Sequence, residues 1–121
     1  MKQFSNNYNL EKRTEKFSRE IIELCKTIKQ DTINRPIISQ LIRSGTSIGA
    51  NYVEANAASS RKDFGNKIFI CKKEAQETRY WLRMIIKCNP ETKEKIDILL
   101  KEVQELILIF QKITSTLRKR E

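Results

Sequence analysis

Histidine is absent from the 121-residue chain, and its absence removes many kinds of enzyme site. Imidazole is the commonest general base and the commonest metal ligand in proteins. Without it, no Ser-His or Cys-His nucleophile pair can form. The Glu-x-x-His motif of di-metal helical bundles is excluded for the same reason. We therefore expect a protein that is not an enzyme and that uses neither a metal nor a cofactor.

Cysteines are few, and long apolar runs are missing. The three cysteines are Cys25, Cys71 and Cys88, and none of them forms a C-x-x-C pair, which argues against a disulfide framework or a zinc site. No stretch approaches the roughly 18 apolar residues that a membrane helix needs. The N-terminal residues MKQFSNNYNL contain no apolar run of the length found in signal peptides. These features predict a soluble, cytoplasmic protein with reduced thiols and no membrane contact.

Glycine is also scarce, yet two of the three glycines lie in one short segment, RSGTSIGANYVEA at 43–55. A glycine inside a helix costs about 1 kcal/mol relative to alanine. The helical spacing of Ile38, Leu41, Ile48 and Tyr52 nevertheless continues through this segment without a change of phase. A phosphate-binding loop is excluded because no G-K-[ST] follows and no strand precedes. We predict a helix in which the glycines allow a neighbouring helix to approach closely.

Apolar periodicity predicts four helices and no strands. They cover approximately residues 10–29, 36–57, 61–87 and 90–117. Asn9, Ser60 and Asn89 are the predicted N-caps of the first, third and fourth helices. The connections are short, and no linker or repeat interrupts the pattern. This organisation predicts an all-α protein, a single domain over 1–121 that folds as an antiparallel up-down four-helix bundle.

The third predicted helix carries more apolar residues than one core face can use. Its expected core face runs from Phe64 to Ile86. Aromatic side chains are enriched at protein interfaces, so we interpret the surplus as an oligomer interface. Scattered surface apolar residues are the alternative interpretation. The candidate interface residues are Ile70, Tyr80, Trp81 and Met84.

The formal net charge of +9 favours anionic partners. Residues 61–87 contain eight Lys/Arg and three acids, a balance of +5, whereas residues 91–117 contain four Lys and five acids, a balance of −1. A basic stripe along one helix can neutralise phosphates. A solvated face that pairs with nearby acids is the alternative. The candidate phosphate contacts share one face of the third helix: Lys72, Arg79, Arg83 and Lys87.

A polar row on the second predicted helix faces acidic residues of the third. The row could be a polar pocket with paired carboxylates, or a network that fixes helix register or subunit contacts. The network interpretation is favoured because histidine and metal-ligand spacing are both missing. Its members are Arg43, Ser47, Asn51, Glu54, Glu74 and Glu77.

Three motifs in order, RSGTSIGANYVEA at 43–55, SSRKDF at 59–64 and KEAQETRYWLR at 73–83, resemble a known bacterial family. It is the family of proteins encoded in intervening sequences of 23S ribosomal RNA genes. The resemblance implies a left-handed four-helix bundle that assembles as a ring-like homopentamer. It also implies similarity to the accessory variability protein of diversity-generating retroelements, a basic pentamer that binds nucleic acid and a reverse transcriptase. No settled catalytic activity accompanies the resemblance, and Ala55 departs from the glycine that many relatives carry there.

Taken together, charge, periodicity and resemblance predict a non-enzymatic, oligomeric bundle that binds nucleic acid through basic helix faces, with RNA favoured. The alternative is a protein-binding scaffold or accessory subunit whose pentameric surface recruits a protein partner.

Overall fold

Four helices make up the computed structural model, which describes residues 9–119. They are α1 (Leu10–Lys26), α2 (Asn34–Asn56), α3 (Arg61–Cys88) and α4 (Lys93–Lys119), and a 3₁₀ turn at Pro90–Thr92 precedes α4. No strand occurs within 9–119. The prediction of an all-α four-helix bundle is therefore confirmed. The eight N-terminal residues on which the expectation about a signal peptide chiefly rests lie outside the described residues.

Consecutive helices pack side by side and run in opposite directions. Contacts between the end of one helix and the start of its neighbour show this arrangement. Glu54 near the end of α2 pairs with Lys67 near the start of α3, and Gly65 near the start of α3 lies beside Leu117 near the end of α4. The helix ends differ from the predictions by a few residues, as is usual for such boundaries. The largest differences are of three residues: α1 ends at Lys26 instead of about residue 29, and α4 begins at Lys93 instead of about residue 90.

Only one of the three predicted N-caps is formed by a side chain. Ser60 Oγ accepts a hydrogen bond from the N–H of Asp63 at 3.0 Å, as predicted. Asn9 lies in the left-handed region, with φ 51°, and its side chain makes no capping bond. A cap that the sequence analysis missed begins α2, where Asp31 Oδ1 accepts from the N–H of Asn34 at 2.7 Å.

The predicted cap at Asn89 is wrong because a tertiary contact takes its side chain. The amides of Asn34 and Asn89 exchange two hydrogen bonds, Nδ2 to Oδ1, at 3.1 and 2.9 Å. Both residues are buried, with 3% and 7% of their surfaces exposed. Buried amides cost free energy unless they are hydrogen-bonded. The pair thus joins the start of α2 to the end of α3.

The core draws on one face of every helix. On α3 the predicted core face is correct except near its end, where Ile85 is fully buried and Ile86 only partly buried. A buried polar contact also links α2 and α3, because Thr78 Oγ1 donates to Ser44 Oγ at 2.9 Å. The largest fully buried side chains include Tyr52, Phe17, Phe64 and Phe110.

Gly45 and Gly49 lie inside α2, where the helix meets α1. No glycine in the described range has a positive φ, so their role is not conformational. A Cβ placed on Gly45 would lie 3.0 Å from both Cγ1 and Cγ2 of Ile21. One placed on Gly49 would lie 3.4 Å from the backbone oxygen of Thr14. The prediction that these glycines permit a close helix approach is confirmed.

The side of the bundle between α1 and α4 is the most open. α1 packs chiefly against α2 and touches α4 far less. A groove of about 500 Å³ runs between α1 and α4, and Ile98 and Leu99 contribute its apolar surface. The groove is crossed by Arg13, which donates to Glu102 at 3.0 and 2.7 Å and to Glu105 at 3.2 Å. The hydrogen bond with Glu102 raises the pKa of Arg13, although partial burial opposes that shift.

Burial predicts that the three thiols react very differently. Burial raises the pKa of Cys25 to about 11 and that of Cys71 to about 12, whereas Cys88 is exposed. At about pH 8, on the order of one in a thousand Cys25 thiols would be ionised, and thiolate is the reactive form. We expect a thiol-alkylating reagent to modify Cys88 alone in the folded protein and all three after denaturation. Mass spectrometry of the native reaction checks this, and rapid native modification of Cys71 would contradict the packing described.

Candidate functional site

The two edges of α3 differ sharply in chemistry. One edge borders α4 and carries Lys72, Arg79, Arg83 and Lys87, which we call the basic edge. The other edge borders α2 and carries acidic residues that contact Arg43. Because one helical turn contains 3.6 residues, side chains three or four positions apart lie on the same face. The sequence-predicted basic stripe and polar row therefore occupy opposite edges of one helix.

Neutral side chains of α4 hold the first half of the basic edge. Lys72 Nζ donates to Gln111 Oε1 at 2.6 Å and lies 5.5 Å from the ring centroid of Phe69. Arg79 Nη1 donates to Gln104 Oε1 at 2.5 Å. Arg83 and Lys87 are exposed farther along the helix. The glutamines orient two cations without cancelling their charges.

The basic edge keeps its positive charge. Among residues 9–119, none of its four cations forms an ion pair with a carboxylate, whereas Arg13, Arg43 and Lys67 each do. Basic residues of α1 are also partly neutralised, since Arg19 pairs with Glu15 and Lys26 with Glu23. An anion that approaches the basic edge can therefore pair with these cations without displacing a carboxylate. Such an arrangement suits phosphate binding by charge, with little reading of base sequence.

Arg43 connects α2 to α3 within a single chain. Its Nη1 lies 3.1 Å from Glu74 Oε1 and its Nη2 lies 2.5 Å from Glu77 Oε1. Burial lowers the pKa of Arg43, but Glu74 and Glu77 together raise it above its ordinary value by charge and hydrogen bonding. Nearly half of the Arg43 side chain is exposed, so water screens much of the attraction. The cluster links α2 to α3 at an edge that is partly exposed to solvent, and its role in fixing helix register stays a prediction.

The rest of the predicted polar row does not join this cluster. Ser47 donates to the carbonyl of Arg43 at 2.5 Å, and Asn51 donates to the carbonyl of Ser47 at 2.8 Å. These bonds stay within α2. Glu54 Oε1 instead forms an ion pair with Lys67 Nζ of α3 at 2.8 Å. The sequence analysis did not predict this partner. The structure therefore divides the row into three separate parts instead of one pocket.

The four candidate interface residues differ in exposure. Tyr80 is 54% exposed, and its ring meets that of Trp81 edge to face at a centroid distance of 4.9 Å. Trp81 itself packs against the core. Ile70 and Met84 are partly buried. Phe69 is as exposed as Tyr80 but was not among the candidate interface residues. Its position outside the core face that runs from Phe64 to Ile86 would have identified it in the sequence.

Among residues 9–119, no cluster of three or more His, Cys, Asp and Glu residues could hold a metal ion. No helix in the same range is long and apolar enough to cross a membrane.

Comparisons with known proteins agree with this architecture. The family model described as 23S rRNA-intervening sequence protein matches residues 6–112, a range that contains all three sequence motifs quoted above. A solved protein from Bacteroides thetaiotaomicron VPI-5482, described as a protein with unknown function from the S23 ribosomal protein family, is similar with a TM-score of 0.75. The two chains are 35% identical, and the alignment covers 86% of this chain and 96% of that one. No curated protein matches the chain.

Proposed function

We propose that this chain, which belongs to the 23S rRNA-intervening sequence protein family, is a non-enzymatic, oligomeric bundle that binds nucleic acid through the basic edge of α3. The observation that carries the proposal is the absence of carboxylate partners for Lys72, Arg79, Arg83 and Lys87 within residues 9–119. A cation that already forms an ion pair with a carboxylate gains less free energy when it binds a phosphate. Cations held only by glutamines can release condensed counterions from a polynucleotide, and that release drives binding.

RNA is the favoured polymer, and a homopentamer is the favoured assembly; both follow from the family resemblance. Apolar side chains on several helices are exposed in the single chain, among them Val53 and Tyr80, and these are suited to subunit contacts. An assembly would place several basic edges on one particle. Linked sites bind a long polymer more tightly than one site does, because later contacts form within the complex.

Binding across a salt series tests the proposal. We expect labelled structured RNA to bind with an affinity that falls linearly, on logarithmic axes, between about 50 and about 200 mM salt. Light scattering on the same samples should give the mass of an oligomer. Duplex DNA is the comparison that shows whether RNA is preferred. No detectable binding at about 100 mM salt would contradict nucleic-acid recognition.

A protein-binding scaffold is the second candidate, and a different surface favours it. Ile98, on α4 beside the groove that faces α1, is 68% exposed, and Leu108 on the same helix is 60% exposed. Exposed apolar side chains that cluster often mark contacts with other proteins. A partner that remains bound after nuclease treatment would favour this function over the first.

A further inference from the structure

A cleft lies where the start of α3 meets the end of α4, next to the basic edge. Its volume is about 650 Å³, which falls within the range of small-molecule sites in proteins. Arg61, Lys62 and Arg118 contribute three cations to its lining, and no carboxylate of residues 9–119 belongs to that lining. Asn66 adds an amide. The cleft therefore combines positive charge with a group that can both donate and accept hydrogen bonds.

An exposed aromatic ring forms part of the same cleft. Phe69 lines it and is 53% exposed. Gly65 lines the cleft without a side chain, and a Cβ placed there would lie 3.5 Å from Leu117 Cδ1. Lys72 connects the cleft to the basic edge, because its ammonium group lies near the Phe69 ring and also donates to Gln111.

We propose that this cleft holds an unpaired base of single-stranded RNA stacked on Phe69, with the flanking phosphates on Arg61 and Arg118. This inference rests on the proposed nucleic-acid function and narrows it to single strands. A cationic groove joined to an aromatic ring is the arrangement by which proteins bind single strands without regard to sequence. Lys72 does not block the site, because stacking of a base is worth more than a cation–π contact at an exposed position.

A duplex cannot use the ring in this way. Its bases are already stacked and paired, so only the phosphates can reach the cations. The Phe69 ring should therefore add affinity for single strands and none for duplexes, whereas the cations of the cleft can attract both. Arg61 also donates weakly to the carbonyl of Leu117, at 3.5 Å, which keeps its guanidinium at the edge of the cleft.

The test compares wild-type protein with Phe69→Leu and Phe69→Tyr, using a labelled single-stranded RNA and its duplex with the complementary strand. Phe69→Leu should lower single-strand affinity about 5- to 150-fold, the effect of losing one stacked base. Its duplex affinity and salt slope should stay unchanged. Phe69→Tyr keeps the ring and should bind both RNAs like wild type. Because Phe69 is half exposed, both variants should retain the fold, which circular dichroism verifies.

The outcomes separate the two proposals. Wild-type single-strand affinity in Phe69→Leu would overturn the cleft while leaving the basic edge intact. Failure of the wild-type protein to bind either RNA would overturn both. Equal weakening of single-strand and duplex binding in Phe69→Leu would also reject stacking. Single-stranded DNA of the same sequence shows whether the 2′-hydroxyl matters: stronger binding of RNA supports the stated ligand, and stronger binding of DNA argues against it.

Discussion

Replacing Lys72, Arg79, Arg83 and Lys87 together with glutamine is expected to weaken RNA binding by a factor on the order of 10²–10³ at about 100 mM salt. Each phosphate contact contributes about 0.7–0.9 to the slope of log affinity against log salt, so the slope should flatten by about 3. The fold should survive, because glutamine remains polar and can still donate to Gln104 and Gln111, which now accept from Arg79 and Lys72. Fluorescence anisotropy across a salt series measures both quantities.

A matched variant removes the same number of charges from the groove between α1 and α4. Five cations line that groove together with carboxylates such as Glu20, Glu23, Glu102 and Glu105, and the variant replaces the four cations other than Arg13. Replacing these four cations with glutamine should change the slope much less, since carboxylates in the same lining lower the positive potential of the groove. If both variants weaken binding equally, total charge governs the interaction and the basic edge has no special role. The control substitutions are Lys16→Gln, Arg19→Gln, Lys95→Gln and Lys101→Gln.

Gly45→Val should destabilise the bundle by about 1–3 kcal/mol, the usual effect of adding atoms to a packed interior. Even a single Cβ at this position would lie 3.0 Å from two carbons of Ile21. Ile21 is fully buried and β-branched, so it has little freedom to move aside. The higher helix propensity of valine offsets only a few tenths of a kcal/mol. Thermal unfolding should show a midpoint lower by on the order of 10 °C.

Gly65→Ala is the appropriate control, because its added Cβ would meet only Leu117 Cδ1 at 3.5 Å, an ordinary contact. Alanine should then stabilise α3 by about 0.5–1 kcal/mol through helix propensity alone. A stabilising effect of Gly45→Val would show that α1 and α2 are not in close contact. Opposite signs at the two glycines would establish that one position serves packing and the other does not.

The sequence predicted the helices well because helix formation depends on spacing within one segment. The spacing of Ile38, Leu41 and Ile48 places them on one helix face, and the same spacing continues past both glycines. Such a continuous pattern is typical of a helix and not of a loop. Ser60 also acts as predicted, since its bond to Asp63 is local. Asn89 was predicted incorrectly because its partner, Asn34, lies 55 positions away in the chain.

Partners across helices were less predictable for the same reason. Glu54 shares a face with Arg43 in sequence but pairs with Lys67, because α2 and α3 run antiparallel. Trp81, a candidate residue for the oligomer interface, is partly buried against the core of its own chain, and its part in an interface stays a prediction. The spacing of the basic residues was visible in the sequence. Their partners on α4 were not visible, because these depend on the register of α3 against α4. Gln104 faces Arg79 and Gln111 faces Lys72, where an acidic residue could have stood instead.

The uneven packing of α1 has a consequence for how the protein opens. Because α1 packs closely against α2 and less closely against α4, its detachment disrupts one extensive helix interface and one smaller one, which includes the ion pairs of Arg13. Helices α2 and α4 each remain packed against α3 when α1 leaves. Amide protons of α1 should therefore exchange with solvent at a lower free energy than those of α3, which has neighbours on both edges.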